Sequence, residues 1–452
     1  MAGTFAAVRE AVHEAMERLH VPGAAIGVTY EGRDEIAGVG VTNVAHPLPV
    51  DANTLFQIGS ITKTFTGTAA MRLVEAGKLD LDVPVQTYVP GLRLAGDEVA
   101  RSVTMRHLLT HTGGWEGDYF DDLGPGDDAL ARMVAAIAEL PQITPLGEVW
   151  SYNNAGFYIA GRVIEVIAEK PFEAALGELV LAPLGLTMSF FFAEDVITHR
   201  FAVGHFLESE VPAVARPWAL GRAAHPAGGL VCSAGDLLRY ARFHMGDGTA
   251  GDGTRVLTPE SMALIRKPHA AATGRDQIGL TWFLRSVAGE PALAHGGGTN
   301  GQVSLLTILP ERKFAVIVLA NGTPGGREVV ETATKRALRA YLDLEEPELQ
   351  STALTPDELK EYTGSFGSAM ADVEIRLEDG RLVEHETPHG GFPRKDSPAR
   401  PPPPPSPLAF YDRDRVYVTE GPFKGAQSEF LRNADGRVAW YRTGGRVLQR
   451  RR

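Results

Sequence analysis

The sequence predicts an α+β fold: an antiparallel β-sheet flanked by helices, with a helical subdomain, followed by a small all-β domain. Three observations predict it. Strand-and-turn patterns lie at both ends of the first 345 residues, at 23–41 and 302–320. Between them, over about residues 60–270, the pattern is mostly helical and broken by Gly/Pro loops. Beyond residue 356 the pattern changes to short strand-like runs separated by turn residues.

Residues 1–19 read as an amphipathic helix carrying Arg9, Glu10, Glu14, Glu17 and Arg18. The apolar run 23–30, the turn Glu31-Gly32-Arg33-Asp34 and the run 35–41 read as a hairpin. The pattern returns as a strand at 302–309, a turn at 310–313 and a strand at 314–320. A helix follows over 326–344, with Val329, Val330, Ala333, Ala337 and Tyr341 at helical spacing. Sheet and helical body would leave a cleft between them, a natural place for a site.

The composition shifts near Leu349, and 346–356 reads as a linker rich in Glu and Pro. This divides the chain into 1–345, carrying the chemistry, and 357–452, a barrel-like β-domain. Strand-like runs in the second part lie at 373–377, 381–384, 415–419, 428–431 and 438–442. Pro401 to Pro405 cannot join a ladder and read as a polyproline-type loop. Arg450-Arg451-Arg452 reads as a solvated tail.

At 452 residues the chain exceeds what one core usually organises. A formal charge of −12, with no basic run in any globular stretch, argues against a nucleic-acid partner. One cysteine, Cys232, excludes an intramolecular disulfide framework and any multi-cysteine metal site, and its apolar setting reads as a small buried residue. Residues 1–19 hold no continuous apolar stretch of signal-peptide type, and no uncharged stretch is long enough to span a bilayer. A cytoplasmic chain is therefore expected, with no cofactor, no metal and a small molecule or short peptide as partner; homo-oligomerisation is left open.

The chemistry starts at Ser60-Ile61-Thr62-Lys63, the one Ser-x-x-Lys tetrad that opens a helix-patterned run after the strand-like 54–59. Positions i and i+3 share a helix face, so the Lys63 ammonium approaches the Ser60 hydroxyl. A serine hydroxyl is a weak nucleophile until a base takes its proton, and a lysine of lowered pKa can be that base. Alone, the same residues would be an N-cap and a solvated lysine. Two further motifs follow in order: Tyr152-Asn153-Asn154, then His295-Gly296-Gly297-Gly298 ahead of the strand at 302. Glycines there permit close approach of backbone to a ligand. His111 and His389 open two other His-x-Gly triplets.

The order Ser-x-x-Lys, Tyr-x-Asn, His-x-Gly resembles the serine β-lactamase and penicillin-binding-protein superfamily, in its class C-like branch. The branch also holds family VIII carboxylesterases, D-aminopeptidases and D-Ala-D-Ala carboxypeptidases. The flanks 103–114, 183–187 and 226–230 fit as well, and the resemblance covers about residues 5–345. The C-terminal domain resembles the lipocalin-like appendages of some relatives.

The resemblance implies roles. Ser60 is the acylated nucleophile, Lys63 its proton partner and Tyr152 the second base and acid; which of the two takes the serine proton stays open. Asn154 bonds Lys63 and the substrate. The N–H groups of Ser60 and Gly298 form an oxyanion hole beside Gly297. His295 stands where β-lactamases keep a lysine, as a weaker, pH-dependent substitute. The expected activity is a serine hydrolase of small esters or amides, with a D-amino-acid peptidase, a β-lactamase and a silent scaffold as alternatives. An acidic loop carrying Glu116, Asp118, Asp121, Asp122, Asp127 and Asp128 would rim the cleft and oppose anionic substrates.

Overall fold

The computed structural model describes residues 2–207 and 211–451. An eight-stranded antiparallel sheet organises the first part. Its strands run in the order Arg33–Gly40, Gly23–Tyr30, Phe314–Ala320, Val303–Leu309, Glu290–Gly298, Phe283–Val287, Gln277–Ile278 and Ala270–Ala271. The two hairpins distant in sequence thus become neighbours, with Ile26 opposite Val318.

Phe314–Ala320 is buried at every residue, because both faces of the sheet are covered. Val316 and Val318 point to one side, against Val8, Val12 and Met16 of the helix Ala2–Leu19 and Val329 and Ala333 of the helix Gly326–Leu342. Ile317 and Leu319 point to the other, against Leu237 and Leu238 of Ala234–Met245. The period-2 alternation of a strand thus divides one apolar run between two cores.

The helix Thr62–Glu75 runs through the larger core. Eleven of its residues are buried, and Phe65 stacks on Tyr240 with ring centroids 3.8 Å apart. Beside it packs Asn154–Ala168, N-capped by Asn153, whose side chain accepts from the Gly156 N–H.

The last part is a closed eight-stranded antiparallel barrel running from Gly364–Gly367 to Arg446–Arg450, which pair to close it. Phe366, Phe410, Phe430 and Tyr441 fill its interior. The helix before it ends at Leu342, and residues 343–355 carry no helix or strand; Thr352 N–H bonds the Phe410 carbonyl. Pro401 to Pro405 form a loop between the strands Arg381–Pro388 and Ser406–Asp412.

Two expectations are corrected. Arg450 and Arg451 are no solvated tail: Arg450 donates to the Thr363 carbonyl and Arg451 pairs with Asp372 at 2.5 Å; Arg452 lies outside the described residues. The strand-like run 54–59 contributes only Phe56–Gln57, in a small sheet with Val231–Cys232 and Ser189–Phe190. As expected, the His295 motif precedes the strand Val303–Leu309; it also lies in a strand of its own, Glu290–Gly298, paired along it.

Candidate active site

Ser60 lies in a single 3₁₀ turn, Gly59–Ile61, which leads straight into Thr62–Glu75. Gly59 takes φ 51°, and the Gly298 backbone passes so close that a Cβ on Gly59 would stand 2.7 Å from its nitrogen. A Cβ on Gly297 would meet the Ile58 carbonyl oxygen at 1.9 Å. These glycines bring the edge of the sheet onto the serine turn. Gly298 itself opens onto free space. The Ser60 hydroxyl caps nothing; the residue ahead of the helix, Ile61, has no side-chain cap, and it is Thr62 Oγ1 that donates to the Gly59 carbonyl.

One turn on, Lys63 is wholly buried. Its Nζ donates to Asn154 Oδ1 at 2.7 Å, to the Ala227 carbonyl at 2.6 Å and to Ser60 Oγ at 3.2 Å. Burial, with the Arg446 cation next, pushes its pKa well below the usual lysine range, while Asp118 opposes. The Ala227 carbonyl comes from the flank 226–230 that the sequence singles out.

Tyr152 precedes the helix Asn154–Ala168 and puts its ring 4.9 Å from Lys63 Nζ. Its hydroxyl is buried and completes no hydrogen bond among the described residues, although Ser60 faces it closely enough to favour the anion. Burial outweighs that and pushes the phenol pKa up, so Tyr152 is held neutral. Asn154 turns its amide nitrogen to Asp118 Oδ1 at 2.6 Å, which fixes its oxygen toward Lys63.

His295 is buried behind the site, its ring 6.4 Å from that of Tyr152. Its Nδ1 approaches the Gly296 carbonyl at 2.6 Å. Burial, then the Lys63 charge, holds its pKa down to about 3. Burial therefore favours the neutral imidazole over the pH-dependent cation expected from the sequence. His111 stacks on Tyr152 at 4.5 Å and accepts from the Asn153 N–H through Nδ1. His389 lies in the barrel, near Asp372. Cys232 is free and buried, and burial pushes its thiol pKa up, as befits an inert residue.

The largest departure from expectation is what faces the cleft from the barrel. Its final hairpin turns at Gly444-Gly445 and lays Arg446 over the Tyr152 ring, 4.7 Å from the centroid. Arg446 pairs with Asp118 at 2.9 Å, the Gly445 carbonyl accepts the Tyr152 N–H at 2.8 Å, and Val447 N–H donates to Ser151 Oγ. Arg442 donates to the Trp150 carbonyl, and Trp440 Nε1 to that of Ile143. The acidic loop is therefore no free negative rim. Glu116 accepts from the Ala369 N–H of the barrel, Asp118 and Asp122 pair with Arg446 and Arg394, and Asp127 and Asp128 pair with Arg222 and Arg132. Phe120 packs edge-on against Phe392.

Sequence reasoning missed Arg446 and the role of Asp118. A Gly-Gly pair between strand-like runs signals a hairpin, but no local signal sets Arg446 apart from the other arginines. Among the described residues no cluster suited to a metal ion occurs, and no helix is long and apolar enough to cross a membrane.

Sheet, helical body and the Ser60–Lys63–Asn154 arrangement define a serine-hydrolase-type class of protein. The chain belongs to the Beta-lactamase family, whose profile matches residues 8–341. It is 39% identical to Penicillin-binding protein 4 of Amycolatopsis lactamdurans over 313 residues, 67% of this chain and 81% of that one. The solved structure of SurE matches both chains over 100% of their length, with a TM-score of 0.77 and 25% identity; SurE has also been solved with D-Leu. A class C β-lactamase from Rhodobacter sphaeroides covers 74% of this chain and 98% of its own, with a TM-score of 0.61 and 26% identity.

Proposed function

We propose that this chain is a serine acyl hydrolase that cleaves small esters or amides through an acyl-Ser60 intermediate. The observation that carries the reading is a buried lysine whose Nζ bonds Ser60 Oγ, Asn154 Oδ1 and the Ala227 carbonyl together. A lysine so desolvated favours its neutral form and can accept the Ser60 proton. Ser60 Oγ then bonds the substrate carbonyl carbon, and the carbonyl electron pair moves to the oxygen, facing the N–H groups of Ser60 and Gly298. Collapse expels the alcohol or amine, which takes a proton back from the Lys63–Tyr152 pair. Water attacks the acyl-serine by the same route, releasing acid and restoring the Ser60 hydroxyl.

Esterase-type activity comes first, because His295 is neutral and the third motif offers no cation for an anionic substrate. A D-amino-acid amidase or peptidase is the second reading. It is favoured by the match with SurE across barrel and catalytic part alike, and by the D-Leu that SurE has been solved with. A β-lactamase ranks third.

The test is labelling with a fluorescent alkyl phosphonate, then kcat/KM for p-nitrophenyl esters, D-amino-acid p-nitroanilides and nitrocefin. Labelling that disappears in Ser60→Ala, with esters turned over fastest, is the expected result. A native chain that takes no label would return it to the scaffold reading, and a clear preference for nitrocefin would make it a β-lactamase.

A further inference from the structure

The barrel touches the catalytic centre at three points on one short turn. The Gly445 carbonyl holds the Tyr152 backbone N–H, Arg446 lies against the Tyr152 ring, and Arg446 pairs with Asp118. Asp118 is nearly inaccessible, with 4% of its side chain exposed, while Arg446 keeps 38% exposed. From Asp118 the contacts run on without a gap. Its Oδ1 accepts from Asn154 at 2.6 Å, Asn154 accepts from Lys63 at 2.7 Å, and Lys63 Nζ lies 3.2 Å from Ser60 Oγ. A residue 386 positions beyond Ser60 is thereby joined to it through side chains alone.

We propose that Arg446 is a positioning residue of the catalytic centre supplied by the barrel: through Asp118 and Asn154 it fixes Lys63, and its charge adds to burial in disfavouring a second cation at Lys63. Arg446 bonds neither Ser60 nor Lys63, so it acts through its neighbours. Lys63 and Arg446 rest on the same Tyr152 ring, at 4.9 and 4.7 Å from its centroid, and so lie within about 10 Å of each other. Two cations that close, one of them wholly buried, disfavour each other's protonation. Arginine cannot yield its proton, so the lysine does.

The other groups around Lys63 leave this charge balance in place. From the segment ahead of Asn154–Ala168 it meets Tyr152, held neutral by burial. His111 and His295 approach from the loop after Met105–Leu109 and from the strand Glu290–Gly298, and burial lowers both pKa values. From the acidic loop come Asp118, with Glu116 behind it, whose carboxyl pKa burial raises. Asp118 and Arg446 are thus opposed charges acting on one lysine. A site of this kind is incomplete in residues 1–345 alone.

The inference rests on the acyl-serine reading, and the experiment separates the two. Phosphonate labelling of the native full-length chain tests that reading by itself. The pH profile of kcat/KM for p-nitrophenyl acetate, from about pH 5 to about pH 10, then tests Arg446. In Arg446→Gln the acid limb moves up by about one pH unit, since removing a cation about 10 Å away lets Lys63 keep its proton to higher pH. In Asp118→Asn an anion is lost and the limb moves down. In Arg446→Lys the charge stays, so the limb stays, while kcat falls because a lysine cannot reproduce the planar fork on Asp118. Opposite shifts in the first two variants support the inference. A limb unmoved in Arg446→Gln, with activity falling only in step with melting temperature, would mean a purely docking arginine and overturn it. Should Arg446→Gln fail to fold, Asp118→Asn decides: a limb that stays or rises overturns the proposal.

Discussion

The coupling between barrel and catalytic centre turns on Gly445, and one substitution isolates it. Gly445 sits at φ 79°, where a side chain is strained, and a Cβ there would stand 3.1 Å from the Trp150 ring and 3.6 Å from Tyr152 Cβ. Gly436, in another turn of the same barrel, has φ 78° but nothing within 4 Å of its would-be Cβ. Alanine at either position therefore carries the same backbone penalty, about 1–2 kcal/mol for the left-handed region. Only at Gly445 does it also push on the site. Trp150 cannot retreat, being 2% exposed and packed edge-on against Phe283. The hairpin must lift instead, stretching the 2.8 Å bond from Tyr152 N–H to the Gly445 carbonyl. A bond of this kind contributes about 0.5–1.5 kcal/mol net. If that loss is felt by Tyr152 in the transition state, kcat/KM falls by about tenfold, the equivalent of about 1.4 kcal/mol. The melting temperature should fall in both variants, further in Gly445→Ala, while p-nitrophenyl ester turnover falls in Gly445→Ala alone. Equal activity in the two variants would refute the coupling.

Four further outcomes follow from the geometry. Ser60→Ala abolishes hydrolysis and leaves the melting temperature nearly unchanged, since Ser60 caps no helix; residual activity above a small fraction would disqualify it as nucleophile. Lys63→Ala and Tyr152→Phe each cripple acylation, and the double variant is little worse than the worse single one, because groups sharing one proton transfer are non-additive; rate losses that multiply would show independent roles. Limited proteolysis should cut within 343–355, where the chain carries no helix or strand, and an uncut chain under conditions that nick exposed loops elsewhere would count against a linker there. In the barrel, Glu384 accepts from the Tyr441 hydroxyl and burial pushes its carboxyl pKa up to about 7. A raised carboxyl pKa stabilises the fold below the unfolded value and loses that contribution as pH rises through about 7. Thermal melts should show barrel stability falling from about pH 5 to about pH 8, a slope that Glu384→Gln removes; an unchanged slope in that variant would clear Glu384 of the effect.

How much was legible in the sequence depends on how far each contact reaches along the chain. Ser60 and Lys63 are three residues apart, and helical periodicity alone puts their side chains together. Tyr152, Asn154 and His295 carry no local signal of that strength; their order along the chain, by resemblance, is what marks them. The strand Glu290–Gly298 escaped notice because it ends in three glycines, a composition that argues against a strand. The structure supplies the reason for one of them: at Gly297 the Ile58 carbonyl occupies the place of a side chain. In the barrel the unrecognised strands Gly364–Gly367, Ser406–Asp412 and Arg446–Arg450 begin with Gly, are interrupted by Pro, or begin and end with Arg. Each is paired on both edges in the closed barrel, so register compensates for weak propensity.

The acidic loop shows where such reading stops. Its six carboxylates are visible in the sequence, and from charge alone they predict a negative rim that repels anions. Four of them meet an arginine, and apart from Arg132, four residues beyond Asp128, those partners are remote in sequence, Asp118 and Arg446 being 328 residues apart. A charge counts in a potential only after its neighbours are known. Once they are, the loop becomes the face on which the barrel docks, and the exposed charge left beside Tyr152 is the two-fifths of the Arg446 side chain that stays open. The third motif contributes no cation, since His295 is neutral, so whatever positive potential a substrate meets there comes from the second domain. On the acyl-serine reading, selectivity between neutral and anionic esters should therefore change with substitutions on the barrel hairpin, without any change to Ser60, Lys63 or Tyr152.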